Sequence, residues 1–331
     1  MAVPSSGKLE LYGDIGTELG VAQSNVTLHG MSQTAGFTPP DAMSEFYGYS
    51  PINEPYIDLN AVSLQSDSIT NTFYSNSFSL SYDGTKVYFG VASYGSSVYY
   101  QYSLSTPYNL ANRTLDGTVS LPQSFNYIGA QSWSRDGSVL YNAGYSNGSP
   151  PTPVMSTSLS SNFNLLSSST TTSDLLGVNQ NTFVMDWSGD GSIFLKKSDI
   201  TVDFNSHQVY NVSTPYDLTT ANTTTFQDVE IPTRFVSGIQ ANSIDCQFCN
   251  AGYQILCVNY YGYYPNYTNS KASLVSYTLS TPYDLTTITF DKEKDISSNI
   301  QDRVIGGLWV DKVTGDIYVP RYDSKRLAHF K

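Results

Sequence analysis

The sequence predicts an all-β protein, a five-bladed β-propeller, and three observations predict it. One nonapeptide recurs as YSLSTPYNL from Tyr102, YNVSTPYDL from Tyr210 and YTLSTPYDL from Tyr277. A strand–turn–strand segment occurs five times, with turn glycines 53, 54, 61 and 63 residues apart, at Gly84, Gly137, Gly191, Gly252 and Gly315. The 27 tyrosines and the low charged fraction of 13% suit pleated, half-buried strands.

Each unit has the pattern of a four-stranded antiparallel sheet. The first strand ends in a large apolar residue, such as Trp133 or Trp187, and Asp-Gly follows in three of the five copies. Asp-Gly favours a tight hairpin because glycine tolerates positive φ. The third strand ends at the Thr-Pro-Tyr turn, since proline cannot continue a strand ladder, and a more polar fourth strand follows. Four strands repeated every 40 to 60 residues or so indicate propeller blades.

The last copy is incomplete, and its missing strand lies near the beginning of the chain. The sequence stops at RLAHFK, within the third strand of that copy, whereas an orphan strand-like segment occupies Tyr56 to Gln65. We expect this N-terminal strand to complete the last blade, because closure of the ring removes free sheet edges. The predicted propeller therefore spans residues 56–331. Residues 1–55 do not follow the repeat and are too few to bury much core alone, so they are predicted to form a small mixed module that docks on the propeller, a sister subunit or a larger assembly.

Two parts of the sequence, one near the N-terminus and one in the repeats, resemble a known family. LYGDIGTELG and HGMSQTAGFTPPDAMSEFYGYSP resemble a short N-terminal module of bacteriophage virion proteins, and DGTKVYF with VYYQYSLSTPYNL resembles the repeats of phage tail and fibre-type proteins. Together the two resemblances cover most of the chain, although copies two and five lack the nonapeptide and copy four lacks Asp-Gly. The resemblance implies a virion component, assembled in the host cytoplasm, with residues 1–55 as its attachment end. The candidate attachment residues are Leu28, Met31, Phe37, Met43, Phe46, Tyr47 and Tyr49.

Composition argues against several classes of partner. The formal net charge of −12 disfavours binding to a nucleic-acid backbone, which needs a clustered positive field. No run of about 18 apolar residues is present, so no membrane-spanning helix is predicted. The N-terminus lacks a basic segment followed by an apolar run, which predicts synthesis without a signal peptide.

No catalytic or metal-binding motif is evident in the sequence. The Ser-x-Asp-Gly turns resemble the structural Asp-box turns of sialidase-type propellers, but the arginines that a sialidase needs are few and scattered. Cys246, Cys249 and Cys257 offer too few ligands for a structural zinc site and are predicted to be buried free thiols. We therefore predict a protein that is not an enzyme and has no cofactor and no metal.

A tyrosine-rich insertion is the strongest local signal for binding. In a four-stranded blade, the connections between strands two and three share one face of the ring with the connections between blades. NYYGYYPNYTNSKA lies in such a connection, and tyrosine rings stack on sugars while hydroxyl and amide groups bond sugar hydroxyls. The candidate ligand-binding residues are Tyr260, Tyr261, Tyr263, Tyr264 and Tyr267, with Tyr94, Tyr145 and Tyr322 in equivalent connections.

Two classes of function remain open at this stage. One is a spike- or fibre-like virion protein that contacts a host glycan or surface protein. The other is a structural virion component, at a capsid vertex, collar or tail, whose propeller packs or protects. In either case we expect a homo-oligomer, because the small N-terminal module needs a partner.

Overall fold

A computed structural model describes residues 54–66, 77–93, 96–120, 127–145, 154–172, 176, 182–198, 206–231, 235–236, 239–240, 242–261, 271–298, 307–321 and 326–331. In these ranges the regular elements are β-strands and short 3-10 turns. The prediction of an all-β chain is confirmed.

The strands form five four-stranded antiparallel sheets. Strand β1 is Leu64–Ser66. The first blade contains β2 (Ser77–Leu80), β3 (Lys86–Ser93), β4 (Ser96–Leu104) and β5 (Arg113–Ser120). The second contains β6 (Tyr127–Trp133), β7 (Val139–Tyr145), β8 (Met155–Leu159) and β9 (Ser168–Thr172). The third contains β10 (Thr182–Trp187), β11 (Ile193–Ser198), β12 (Ser206–Asn211) and β13 (Gln227–Glu230).

A two-stranded hairpin, β14 (Phe235–Val236) and β15 (Ile239–Gln240), precedes the fourth blade. The fourth blade contains β16 (Asn242–Cys249), β17 (Gln254–Tyr261), β18 (Lys271–Leu279) and β19 (Ile288–Asp295). The fifth contains β20 (Trp309–Val310), β21 (Ile317–Arg321) and β22 (Arg326–Phe330), with β1 as its fourth strand.

The five blades close into a ring. Each innermost strand contacts the next, in the order β2, β6, β10, β16, β20 and back to β2. In the fifth blade β1 pairs with β22, so that Leu64 lies opposite Phe330. The amide of Ser63 donates to the carbonyl oxygen of Lys331 at 2.8 Å, and the amide of Lys331 donates to the Ser63 oxygen at 3.0 Å. Both the five-bladed propeller and its closure by an N-terminal strand are confirmed.

The apolar core lies between neighbouring blades. Its clusters each combine residues of adjacent sheets, and the aromatic residues at the ends of the first strands are central to them. Trp133 is fully buried, its ring centroid lies 4.5 Å from that of Tyr88, and its indole nitrogen donates to Ser79 Oγ at 3.0 Å. Burial of one such side chain contributes roughly 1.5–3 kcal/mol.

The repeated nonapeptide packs against the hairpin turn of its own blade. In the first blade the carboxylate of Asp83 accepts hydrogen bonds from Ser81 Oγ at 2.6 Å and from the Thr85 amide at 3.0 Å, which fixes the turn at Gly84. The ring of Tyr108 then covers Gly84, and the Tyr108 amide donates to the Gly84 carbonyl oxygen at 2.9 Å. The same arrangement joins Phe163 to Gly137, Tyr216 to Gly191 and Tyr283 to Gly252.

The two copies without the nonapeptide still fill this position. The second blade uses Phe163, an aromatic residue without a hydroxyl group. In the fifth blade Pro55 and Ile57 take the place of the ring, since a Cβ at Gly315 would lie 3.1 Å from atoms of each. The segment before β1 therefore supplies the fifth blade with its turn contact as well as its fourth strand.

Candidate functional site

The ring has two distinct faces. We call the turn face the one that carries the five hairpin turns, at Gly84, Gly137, Gly191, Gly252 and Gly315. The connection face is the opposite one, where the second strand of each blade ends and the third begins. In the fourth blade Tyr261, the last residue of β17, pairs with Lys271, the first residue of β18, so β17 ends and β18 begins on the connection face.

The structure places some of the predicted ligand-binding tyrosines on this face. Tyr145 ends β7, opposite Tyr127, and Tyr261 ends β17, so the backbone of both reaches the connection face. Tyr260 also lies in β17, opposite Ala272, but it is only 9% exposed and belongs to the apolar cluster between the fourth and fifth blades. Most of its ring therefore serves the core and is not accessible to a ligand.

The remaining predicted residues lie outside the described residues. For the ligand-binding set these are Tyr94, Tyr263, Tyr264, Tyr267 and Tyr322. For the attachment set they are Leu28, Met31, Phe37, Met43, Phe46, Tyr47 and Tyr49. Their roles stay predictions.

A buried ion pair on the turn face joins three blades. Lys312 Nζ lies 3.2 Å from Asp186 Oδ2, and their side chains are only 9% and 3% exposed. The same carboxylate oxygen accepts a hydrogen bond from the Phe248 amide at 2.7 Å, and Lys312 also donates to the Phe248 carbonyl oxygen. The pair therefore connects the third, fourth and fifth blades at their inner ends.

Burial shifts the ionisation of this group. Burial raises the pKa of Asp186, although the Lys312 ammonium opposes that shift. For Lys312 burial favours the neutral amine, but the Asp186 and Glu54 carboxylates together raise the pKa of the ammonium well above its ordinary value. We conclude that Lys312 stays charged and is held by acidic neighbours.

Glu54 connects the beginning of the propeller to the same group. It is buried, and its Oε2 accepts a hydrogen bond from the Ala251 amide at 3.1 Å. Burial raises the pKa of Glu54 and the nearby Lys312 ammonium lowers it. The chain therefore enters the propeller on the turn face. The sequence does not predict this cluster; its one signal is Asp186, an aspartate within the otherwise apolar end of β10.

Two of the three cysteines face each other across the fourth blade. Cys246 in β16 and Cys257 in β17 are cross-strand partners, with their sulfur atoms 2.6 Å apart, and His207 Nε2 lies 3.5 Å from Cys246 Sγ. All three cysteines are free and buried, as predicted. Burial raises the pKa of the Cys249 thiol to about 12, and it raises that of Cys257 well above its ordinary value. Within the described ranges, no group of three or more His, Cys, Asp or Glu side chains could hold a metal ion.

The described part of the chain contains no helix that is long and apolar enough to cross a membrane.

Comparison with known proteins gives no family. No family model and no curated protein matches the sequence. Among solved structures, a "putative 6-phosphogluconolactonase" from Bacteroides uniformis is similar, with 12% identity, a TM-score of 0.41, and coverage of 80% of this chain and 69% of that chain. The β-propeller domain of Cps50 (Swd1) from Myceliophteria thermophila has 7% identity, a TM-score of 0.41 and coverage of 80% and 98%. The WD40 domain of Toxoplasma gondii coronin has 9% identity, a TM-score of 0.37 and coverage of 78% and 69%.

The five four-stranded sheets closed into a ring define the class of the protein as a β-propeller. One of our predictions is corrected by the comparison with solved structures. We predicted from the lack of a motif that the chain is not an enzyme, but a structural neighbour carries the name of an enzyme. Absence of a recognisable motif therefore does not exclude catalysis on this fold, because the same fold hosts many functions.

Proposed function

We propose that the chain is a surface-exposed bacteriophage virion protein, spike- or fibre-like, whose propeller contacts a glycan or protein of the host surface. In this proposal residues 1–55 attach the chain to other virion proteins, and it assembles as a homo-oligomer in the host cytoplasm. One observation carries the proposal: Glu54 lies on the turn face, whereas β17 ends and β18 begins on the opposite, connection face.

The entry of the chain is firmly held, as an attachment point needs to be. The side chain of Gln254 accepts from the Ile57 amide and donates to the Ile57 carbonyl oxygen, both at 2.9 Å. Tyr56 donates its hydroxyl to Asp291 at 2.5 Å, and Lys292 forms an ion pair with Asp58 at 2.8 Å. The following strand, β1, then closes the ring.

The chemistry of the connection supports contact with a polar surface. GYYPNYTNS, residues 262–270, combines three tyrosines with two asparagines and has no charged residue. Tyrosine supplies large contact area at low cost in side-chain entropy, and amide and hydroxyl groups supply adaptable hydrogen bonds. Such a surface suits a neutral glycan or a polar protein patch better than it suits an ionic partner.

The test compares two variants of the full chain on host cells. Fluorescently labelled protein is titrated onto intact cells and onto their extracted surface polysaccharide. We expect saturable binding that the double substitution Tyr263→Ala and Tyr264→Ala weakens about tenfold or more, as loss of an aromatic anchor does. The matched control is Tyr253→Ala on the turn face, where the tyrosine is 47% exposed, and its binding should equal that of the wild type.

Two other outcomes distinguish the alternatives. If the folded wild-type protein does not bind, or the double variant binds equally well, recognition through this connection is wrong. Mass spectrometry of purified particles of the phage that encodes the chain then tests whether the protein is part of the virion. Presence in the particle would leave a structural component of the capsid vertex, collar or tail, whereas absence would overturn the assignment to a virion.

A further inference from the structure

The first hairpin of the fourth blade contains two cysteines that lie directly across from each other. Cys246 in β16 and Cys257 in β17 are Cα partners in the strand ladder, and their sulfur atoms lie 2.6 Å apart. Both side chains are fully buried in the apolar cluster between the third and fourth blades, and both are free thiols in the structure. Two thiols in contact across one hairpin are a candidate site for a covalent bond.

The backbone places this pair where two strands can be bridged. Partners in an antiparallel ladder alternate between pairs that exchange both backbone hydrogen bonds and pairs that exchange none. The Phe248 amide donates to the carboxylate of Asp186 in β10 at 2.7 Å, and the Cys246 amide donates to that of Asp245 at 2.8 Å, so both amides point away from β17. Cys246 and Cys257 are therefore a pair without backbone hydrogen bonds. The Cα atoms of such a pair are about 4.5 Å apart, within the range of roughly 4.4–6.8 Å that disulfides span.

The third cysteine is excluded from this pairing by the geometry of the strand. Cys249 lies three residues beyond Cys246 in β16, which separates their Cα atoms by about 10 Å in an extended strand. It also packs on the other side of the blade, in the cluster between the fourth and fifth blades, and its Cα partner is Gln254. Cysteines more than about 7 Å apart cannot be bridged without movement of the backbone. The fold therefore permits one disulfide among the three possible pairings.

We propose that Cys246 and Cys257 form an intramolecular disulfide when the chain folds in the presence of a small-molecule disulfide, and that this bond locks the fourth blade. In the first step the thiolate of one cysteine attacks the small disulfide, whose S–S bond breaks. A mixed disulfide forms, and the thiolate that leaves takes up the proton of the cysteine. In the second step the other cysteine attacks the mixed disulfide and releases the second small thiol. Two protein thiols are thus oxidised to one disulfide, while the small disulfide is reduced to two thiols.

The exchange takes place before the pair is buried. In the folded protein neither cysteine has exposed surface on which a mixed disulfide could form, and burial raises the pKa of the Cys257 thiol well above its ordinary value. In the unfolded chain both thiols are accessible and ionise near the usual pKa of about 8.5, and the thiolate is the reactive form. The cysteines are 11 positions apart, so the loop between them closes readily. Once the blade has folded, a reductant reaches the bond only when the blade opens.

The disulfide constrains a strand that is connected to both neighbouring blades. Besides the bond from Phe248 to Asp186 of the third blade, Gln247 Oε1 in β16 accepts a hydrogen bond from the Val310 amide of the fifth at 2.8 Å. A disulfide that closes a loop of this length lowers the equilibrium constant for unfolding about a hundredfold. This inference concerns the interior of one blade and does not rest on the proposed function.

The test uses the full chain and glutathione. The reduced protein is unfolded in urea and diluted into buffers that contain oxidised and reduced glutathione at several ratios. After an acid quench, the remaining thiols are alkylated in denaturant, and mass spectrometry identifies the linked peptides. We expect a Cys246–Cys257 disulfide with Cys249 alkylated. The equilibrium constant for forming the bond should be about a hundredfold larger in the folded chain than in the chain kept in urea, because a disulfide stabilises the fold by the factor by which the fold favours the disulfide.

Two variants are the controls. Cys249→Ala should form the same disulfide, whereas Cys257→Ala, which keeps Cys246 and Cys249, should form no intramolecular disulfide in the folded state. The oxidised wild type should unfold at a higher urea concentration than the reduced protein. The proposal is overturned if the folded wild type keeps three free thiols at every glutathione ratio, if Cys249 is found in the disulfide, or if the folded and unfolded chains favour the bond equally. The wild-type chain alone decides these outcomes, even where a variant does not fold.

Discussion

The ring of Tyr108 lies against Gly84 so closely that a Cβ on the glycine would be 2.4 Å from the ring carbon Cε2. Gly84 has a φ of 68° and Tyr108 has a φ of 60°, so both residues adopt the left-handed region. The contact ties the hairpin turn between β2 and β3 to the turn that ends β4. This explains why the chain repeats a nonapeptide. Each of the three copies places a tyrosine against a turn glycine, and in the other two blades Phe163 or Pro55 with Ile57 takes that position.

Gly84→Ala should strongly destabilise the propeller. The new methyl group meets a ring that is itself fixed by a hydrogen bond from Tyr108 Oη to the Tyr82 carbonyl oxygen at 2.6 Å. Because this clash adds to the strain of a positive φ at an alanine, we expect a loss of about 2–4 kcal/mol in the free energy of unfolding. Urea denaturation measures this loss.

Gly117→Ala in β5 is the control for this prediction. Its Cβ would meet the end of the flexible, exposed Leu166 side chain at 2.9 Å, so the neighbour can move aside at little cost. We expect a change of less than about 1 kcal/mol. Equal losses in the two variants would contradict the role of the Tyr108 contact.

Lys312→Met should destabilise the protein far more than the loss of an exposed ion pair does. It leaves the carboxylate of Asp186 buried without its cation, which costs about 3–5 kcal/mol in the free energy of unfolding. Lys86→Met is the control, because it removes the ion pair with Asp116, whose two side chains are more exposed, at 26% and 19%. We expect it to lower the free energy of unfolding by about 1 kcal/mol or less. Adding Asp186→Asn to Lys312→Met should recover part of the loss in denaturant titrations. No recovery would mean that the methionine itself disturbs the packing.

The fold was predictable because its signals are local and repeated. Asp-Gly turns and the Thr-Pro-Tyr turn each fix a few residues, and five copies with one offset strand determine a closed ring. The Asp186–Lys312 pair was not predictable, since the partners are 126 residues apart and meet only when three blades assemble. The sequence predicts Tyr260 as a ligand-binding residue for a different reason: the run of tyrosines suggests a loop. In the structure β17 extends to Tyr261, and the alternation of the strand turns Tyr260 inward.

The three thiols should be unreactive in the folded protein. Burial raises the pKa of Cys249 to about 12, and the thiolate is the form that reacts with iodoacetamide. We expect mass spectrometry to find no alkylation after treatment at neutral pH and three alkyl groups when the protein is first unfolded and reduced. Tyr253→Cys, at a position 47% exposed, is the positive control and should gain one group in the native state. Rapid native labelling of the wild-type cysteines would show that the fourth blade opens.

Lys196 should destabilise the fold at neutral pH. It lies in β11 between Met185 and Gln208, is 0% exposed, and its Nζ has no hydrogen-bond partner among the described residues. Burial lowers its pKa to about 8, whereas an unfolded lysine titrates near 10.4. Because the unfolded state holds the proton more tightly, the penalty is fully present below about pH 8 and is relieved as the pH rises towards 10.4.

Lys196→Met should therefore stabilise the protein at pH 7, by about 3 kcal/mol at most. The gain over the wild type should shrink as the pH is raised from 8 to 10, because the wild-type amine becomes neutral on its own. Lys294→Met is the control, since that ammonium donates to the Leu59 carbonyl oxygen at 3.2 Å and its loss should bring no gain. A stabilisation by Lys196→Met that did not vary with pH would come from packing alone and would contradict the burial of a charged lysine between β10 and β12.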